Sequence, residues 1–169
     1  MRQFLAATAA FLLAGCGTMA YTPTEYPLRD GLIPAFPVSG DVTVSNDQPA
    51  KTSVIVYDAS GSKLASNLNA ITEVMTAQTR KELAKAGQKS ATGSPKTVAL
   101  KVNVLLSTYV MFSTKSHIDF EAHLGDGQTL KFDVHHASGA LIQDLNGCIA
   151  EGVMTLLNDS RIKTYLATP

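Results

Sequence analysis

Residues 98–134 read VALKVNVLLSTYVMFSTKSHIDFEAHLGDGQTLKFDV. Val98, Leu100, Val102, Val104, Leu106, Val110 and Phe112 all stand on even positions, and side chains two residues apart share one face of an extended strand. The same phase runs through Ile118, Phe120, Ala122 and Leu124, and again through Leu130, Phe132 and Val134. Three strands with one common apolar face are therefore expected. Gly125-Asp126-Gly127 suits a three-residue hairpin loop, with Gly127 in the left-handed conformation that glycine adopts cheaply. Pairing Leu124 with Gln128 keeps the parity, because a slip of one residue would turn every apolar side chain to water. This register sets Phe120 opposite Phe132 inside and Glu121 opposite Lys131 outside.

Working outward, residues 41–46 and 53–57 read as short strands, the second around the β-branched core Val54-Ile55-Val56. Leu64, Leu68, Ile71, Met75, Leu83 and Ala86 follow helical spacing, with Asn67 or Asn69 as cap and Gly87 as the stop. Leu141, Leu145, Cys148 or Ile149, Gly152 and Leu156 mark a second amphipathic helix, and Ser160 caps a last turn that reaches Tyr165 and Leu166. The order is β-β-α-β-β-β-α. It predicts an α+β fold: a two-layer sandwich of a mostly antiparallel sheet, about four to five strands, with two helices packed on one face and a polar outer face.

The outer face carries the one polar pattern with geometric content. The register places His117 opposite His135 and Asp119 opposite Asp133, and two imidazoles with two carboxylates are competent ligands for zinc or copper. An open sheet face is also where polar residues belong. A solvated or partner-covered surface is the preferred reading, with a metal site as the alternative. His136 has inward parity, and His123 falls at the hairpin tip.

Fourteen basic and fourteen acidic side chains balance over the 169 residues, without a basic run. That excludes the electrostatic footprint of a DNA- or RNA-binding surface. Of the two cysteines, Cys16 and Cys148, the second reads as a small apolar residue on a buried helix face. A lone thiol in an oxidising compartment is alternatively open to pairing with another chain.

The amino terminus reads separately. Arg2 followed by the uncharged run Phe4 to Leu13 has the charged and apolar regions of an export signal, too short to span a bilayer. Leu13-Ala14-Gly15-Cys16 closes it. This small-residue triplet ending in cysteine resembles the lipobox of bacterial lipoproteins, in which the leader is cut before a cysteine whose thiol has been acylated. The resemblance implies a cleaved signal over 1–15, a covalent lipid on Cys16 and no other cofactor. It implies membrane attachment through that lipid, each buried methylene adding about 0.8 kcal/mol. Gly17, in place of the Asp that retains such proteins at the inner membrane, implies the periplasmic face of the outer membrane. Pro23, Pro27, Pro34 and Pro37 then predict an extended tether over 16–37, and 38–169 one folded domain. Phe36 and Leu32 are candidates to dock on it.

Beyond the lipobox, the segment Gly40 to Ser45, the helix, the three strands and the closing stretch 142–166 with Asn158-Asp159-Ser160-Arg161-Ile162 resemble the small YajG-type lipoproteins of proteobacteria. The resemblance implies the same α+β architecture and supplies no catalytic residue. Ser-x-x-Lys occurs at Ser60-Gly61-Ser62-Lys63 and at Ser160-Arg161-Ile162-Lys163. Neither Ser-Asp-Asn nor Lys-Thr-Gly follows, so a turn and a helix cap are expected there. The expectation for function is a non-catalytic, membrane-anchored periplasmic lipoprotein that binds or scaffolds an envelope protein, lipid or glycan. Its alternatives are an accessory subunit of an envelope transport or assembly complex, and a metal-binding lipoprotein through His117 and His135.

Overall fold

The computed structural model describes residues 17–59, 61–90 and 92–169. In chain order the strands of the first half are β1 (Thr18–Ala20), β2 (Phe36–Ser39), β3 (Val42–Asn46), β4 (Ser53–Ala59) and β5 (Ser62–Asn67). Helix α1 (Leu68–Ala86) and strands β6 (Gly87–Ser90), β7 (Lys96–Val110), β8 (Ser113–Leu124) and β9 (Thr129–Ser138) follow, then α2 (Leu141–Asn158) and α3 (Ser160–Ala167). The fold is α+β. Its main sheet has seven strands in the order β1-β5-β4-β7-β8-β9, with β3 also on β7, and β2 pairs β6 separately. The pairs β4–β5, β7–β8 and β8–β9 are antiparallel, whereas β1–β5, β3–β7 and β4–β7 are parallel. The sheet is thus mixed and has more strands than the expected four to five.

The β8–β9 register is the expected one, with Phe120 opposite Phe132, Glu121 opposite Lys131 and His117 opposite His135. Gly127 has φ +89°, and the Leu124 amide donates to the Gln128 carbonyl at 2.8 Å across the loop. Phe120 and Phe132 stack at 4.8 Å between centroids. Gly152 of α2 lies against Phe120, Ile118 and the Met75 methyl of α1, so a Cβ there would stand 3.2 Å from that methyl. The missing side chain is what lets α2 approach both the sheet and α1.

The long strand β7 departs from its expected parity. Its register against β8 shifts between Val102 and Val104, leaving Asn103 as an extra residue, a β-bulge. Beyond it the odd positions face inward: Leu105 and Ser107 are buried, while Val104 and Leu106 are half-exposed on the outer face. The exposed Tyr109, Val110, Met111 and Phe112 belong to no core. A bulge needs partners for the backbone groups it displaces. The Val102 amide donates to Thr72 Oγ1 at 3.1 Å, and its carbonyl accepts from Gln48 Nε2 at 2.6 Å. Both side chains are buried, which explains polar groups at core positions of α1 and of the β3–β4 connection. The same edge of β7 takes β3 before the bulge and β4 after it.

Three further expectations are corrected. Leu64 is buried on β5 rather than on a helix, and α1 begins only at Leu68, where Asn67 accepts from the Ala70 amide. Asp159, not Ser160, caps α3, its carboxylate accepting from the Arg161 amide at 2.8 Å. Residues 18–37, expected to be an extended tether, lie against the domain instead of standing off it and turn at 30–33, where Gly31 has φ +86°. β1 pairs β5, the Tyr21 hydroxyl donates to Asn146 at 2.6 Å, and the Leu32 carbonyl accepts from Asn158 at 2.9 Å. Phe36 docks and is buried, whereas Leu32 stays exposed.

Candidate functional site

The inward turn of Ser107 has a chemical consequence. Ser107 and Ser116, on neighbouring strands, both donate to Oδ2 of Asp144, the first at 3.0 Å. All three side chains are buried, and Asp144 Oδ1 accepts no hydrogen bond from any described residue. Asp144 sits in the first turn of α2, where the helix dipole favours a negative charge. One turn on, Cys148 is fully buried against the Val134 carbonyl. Burial, reinforced by the Asp144 carboxylate, pushes its thiol above the ordinary range. A thiol so held stays protonated, and the thiolate is the reactive form. The cluster is a polar pin beneath α2 that no solute reaches. Sequence parity conceals it, because strict alternation turns Ser107 outward.

On the outer face His117 and His135 stand with ring centroids 5.9 Å apart, and His135 Nε2 lies 3.3 Å from Asp133 Oδ1. Asp119 faces Asp133 as expected. A zinc site closed by protein takes four ligands, and a catalytic one three. Among the described residues no group of three or more His, Cys, Asp or Glu side chains is arranged to hold a metal ion. His123 belongs elsewhere, between Asp47 at 2.9 Å and Glu121 at 3.2 Å. The hydrogen bond from His123, with Lys131 next, holds the Glu121 carboxyl below its usual range. His136 does turn inward, its ring against Gly147.

Lys163, from the second Ser-x-x-Lys, donates to Asn158 at 3.1 Å and lies over the Phe36 ring. In the first, Ser60 is outside the described residues, and Lys63 pairs Asp58 at 2.9 Å. Leu13, Ala14, Gly15 and Cys16 also lie outside them, as does the whole leader. No helix among the described residues is long and apolar enough to cross a membrane.

The β7–β8 hairpin ends in a feature that alternation does not predict. Met111 and Phe112 form its two-residue loop and are 79% and 91% exposed, beside Tyr109 at 51% and Val110 at 40%. Met111 has φ +56°, a conformation costing a non-glycine residue on the order of 1–3 kcal/mol. Tight hairpins ordinarily put glycine, asparagine or aspartate there. A water-exposed turn thus carries a methionine on strained backbone and a phenyl ring in place of polar residues. The signal lies in the four consecutive apolar residues 109–112, which a strand buried on one face does not require. No protein-family model matches the chain, and no curated protein matches its sequence.

Proposed function

We propose that the chain is a lipid-anchored lipoprotein of the bacterial envelope, held at the periplasmic face of the outer membrane through acylated Cys16. Its domain is non-catalytic and docks or scaffolds another envelope component. The observation that carries the reading is Leu13-Ala14-Gly15-Cys16 directly after an uncharged apolar run with Arg2 before it. The likeness to YajG-type lipoproteins belongs to the same reading, as does the two-layer arrangement with both long helices on one face, which the contacts around Gly152 support. The non-catalytic part draws on the polar groups. The Asp144 carboxylate is sealed from solute, and the Lys163 ammonium is engaged by Asn158 and Phe36.

Metabolic labelling with a fatty-acid analogue tests the anchor. Wild-type protein should carry label and fractionate with membranes, and Cys16→Ser should lose both. Retention of label or of membrane fractionation by Cys16→Ser would sink the proposal.

A further inference from the structure

β7 runs to one end of the sheet and turns into β8 through Met111 and Phe112, between the paired residues Val110 and Ser113. β4 is parallel to β7, with Tyr57 beside Ser107, so Ala59 lies toward that end too. β5 starts there, Ser62 pairing Ala59, and β1 runs parallel to it with Thr18 beside Lys63. Lys63 faces Asp58, one residue beyond Tyr57. Thr18 is therefore level with Thr108, and the chain enters the fold at the end that carries the hairpin tip. Only Gly17 separates Thr18 from Cys16, a reach of about 7 Å at most. β1 and β7 are three strand spacings apart, each about 4.8 Å. Thr18 and the tip thus fall within about 20 Å of each other at one end of the molecule, and Cys16 follows Thr18 toward the amino terminus by two residues.

The other exposed apolar groups agree. Met19 lies on β1, and Ile142 is in the first turn of α2, which begins where β9 ends, Ser138 beside Thr114. With residues 109–112 these make six of the nine large apolar side chains left exposed among the described residues. Lys115, opposite Thr108, stands exposed just behind the tip, at the level where anionic headgroups attract a cation.

Resting on the acylation of Cys16 proposed above, the geometry points to a second membrane contact: the Tyr109–Phe112 tip enters the headgroup–acyl boundary of the bilayer beside the anchor. Lipid is the occupant because the anchor holds this end within reach of the bilayer, and because the tip is a two-residue turn that leaves Met111 and Phe112 79% and 91% exposed. Aromatic and aliphatic side chains at an interface bury in this way. The domain then stands end-on at the membrane, held there by one linking residue instead of a long tether.

The chain contains no tryptophan, so Phe112→Trp makes a unique reporter at a site too exposed to disturb the fold. Leu32→Trp, exposed beside Asn158 at the far end of α2, is the control. Full-length protein purified from membranes is reconstituted into phosphatidylethanolamine–phosphatidylglycerol vesicles with brominated acyl chains, and its amino-terminal peptide is weighed for acyl groups. The expected result is acylated protein in which the indole emission of the Phe112→Trp variant is shifted to the blue and mostly quenched, while that of Leu32→Trp is neither. Acylated Phe112→Trp protein with unquenched emission overturns the tip contact and leaves the anchor standing. Unacylated Phe112→Trp protein with quenched emission overturns the anchor and supports the tip, and unacylated, unquenched protein overturns both. A blue shift in native envelope membranes without one in pure lipid vesicles assigns the tip to a protein partner and overturns the lipid contact.

Discussion

Phe120 is the side chain on which the sheet register can be tested most directly. It is 1% exposed, stacks on Phe132 with ring planes 10° apart, and meets α2 where Gly152 leaves room for it. Truncating a buried phenylalanine to alanine costs about 3–5 kcal/mol, against a total stability of about 5–15 kcal/mol for a domain. With a urea m-value of about 2 kcal/mol/M, Phe120→Ala should lower the unfolding midpoint by about 2 M. Phe132→Ala should cost less, since that ring is 8% exposed. The double variant should recover a coupling of about 0.5–1.5 kcal/mol from the lost stacking. Phe120→Asp, which puts a charge in the same place, should not fold. Glu121→Gln, one residue along on the outer face, should fold and shift the midpoint only slightly, because it gives up exposed ion pairs with His123 and Lys131. Urea titrations followed by circular dichroism compare each variant with wild type. A Phe120→Ala midpoint within about 0.5 M of wild type, or equal tolerance of Phe120→Asp and Glu121→Gln, would refute the register.

Two shorter tests address the polar groups. Ser107→Ala removes one of the two donors to the buried Asp144 carboxylate and should cost about 1.5–3 kcal/mol in urea unfolding; no loss would mean that Ser107 faces outward and the bulge is misplaced. Asp159 caps α3, and its hydrogen bonds from Arg161 hold its carboxyl below the usual range. A depressed carboxyl contributes stability above its unfolded pKa, about 4, and loses it as pH falls through the lower folded value. Melting temperature should therefore fall less between pH 5 and pH 2 for Asp159→Asn than for wild type, and parallel curves would exclude the role.

How far the fold can be read follows from where one periodicity governs. In β8 and β9 the apolar residues occupy a single parity, and the glycine hairpin leaves one register that buries them all. That stretch is legible residue by residue. In β7 the run Val104-Leu105-Leu106 satisfies either parity, so a bulge at Asn103 leaves no trace in hydrophobicity. Its partners, Thr72 and Gln48, come from elements remote in sequence. β5 is hidden because Leu64-Ala65-Ser66 continues the helical spacing of α1 backward, and Asn67, a good cap, decides the boundary only once the chain is seen to change direction there. β1 is three exposed residues stabilised by pairing, with no apolar pattern of its own. For the candidate sites, facing histidines follow from register, whereas Asp144 with two serines requires the bulge first.

Of these differences the pairing of the first strand matters most for function. A free tether over 16–37 would separate the domain from the proposed anchor, so that orientation relative to lipid carried no meaning. Pairing of Thr18 with Lys63 removes that freedom, and the Tyr21 and Thr24 contacts to Asn146 fasten the following chain across α2. A pull on Cys16 is transmitted through one residue to the edge of the main sheet. Under the proposed end-on stance, the β8–β9 turn points away from the bilayer, since β7 begins beside that turn and ends at the tip. An open cavity of about 540 Å³ lies there, lined by Lys96, Asp126, Gln128, Arg161 and Tyr165 among others, and the Tyr165 hydroxyl accepts from the Gly125 amide at 3.1 Å. The molecule is then polarised along its strands, with apolar groups toward lipid and charged groups toward the periplasm, and the outer sheet face with His117 and His135 stands sideways between them, open to a neighbour at the same height above the membrane.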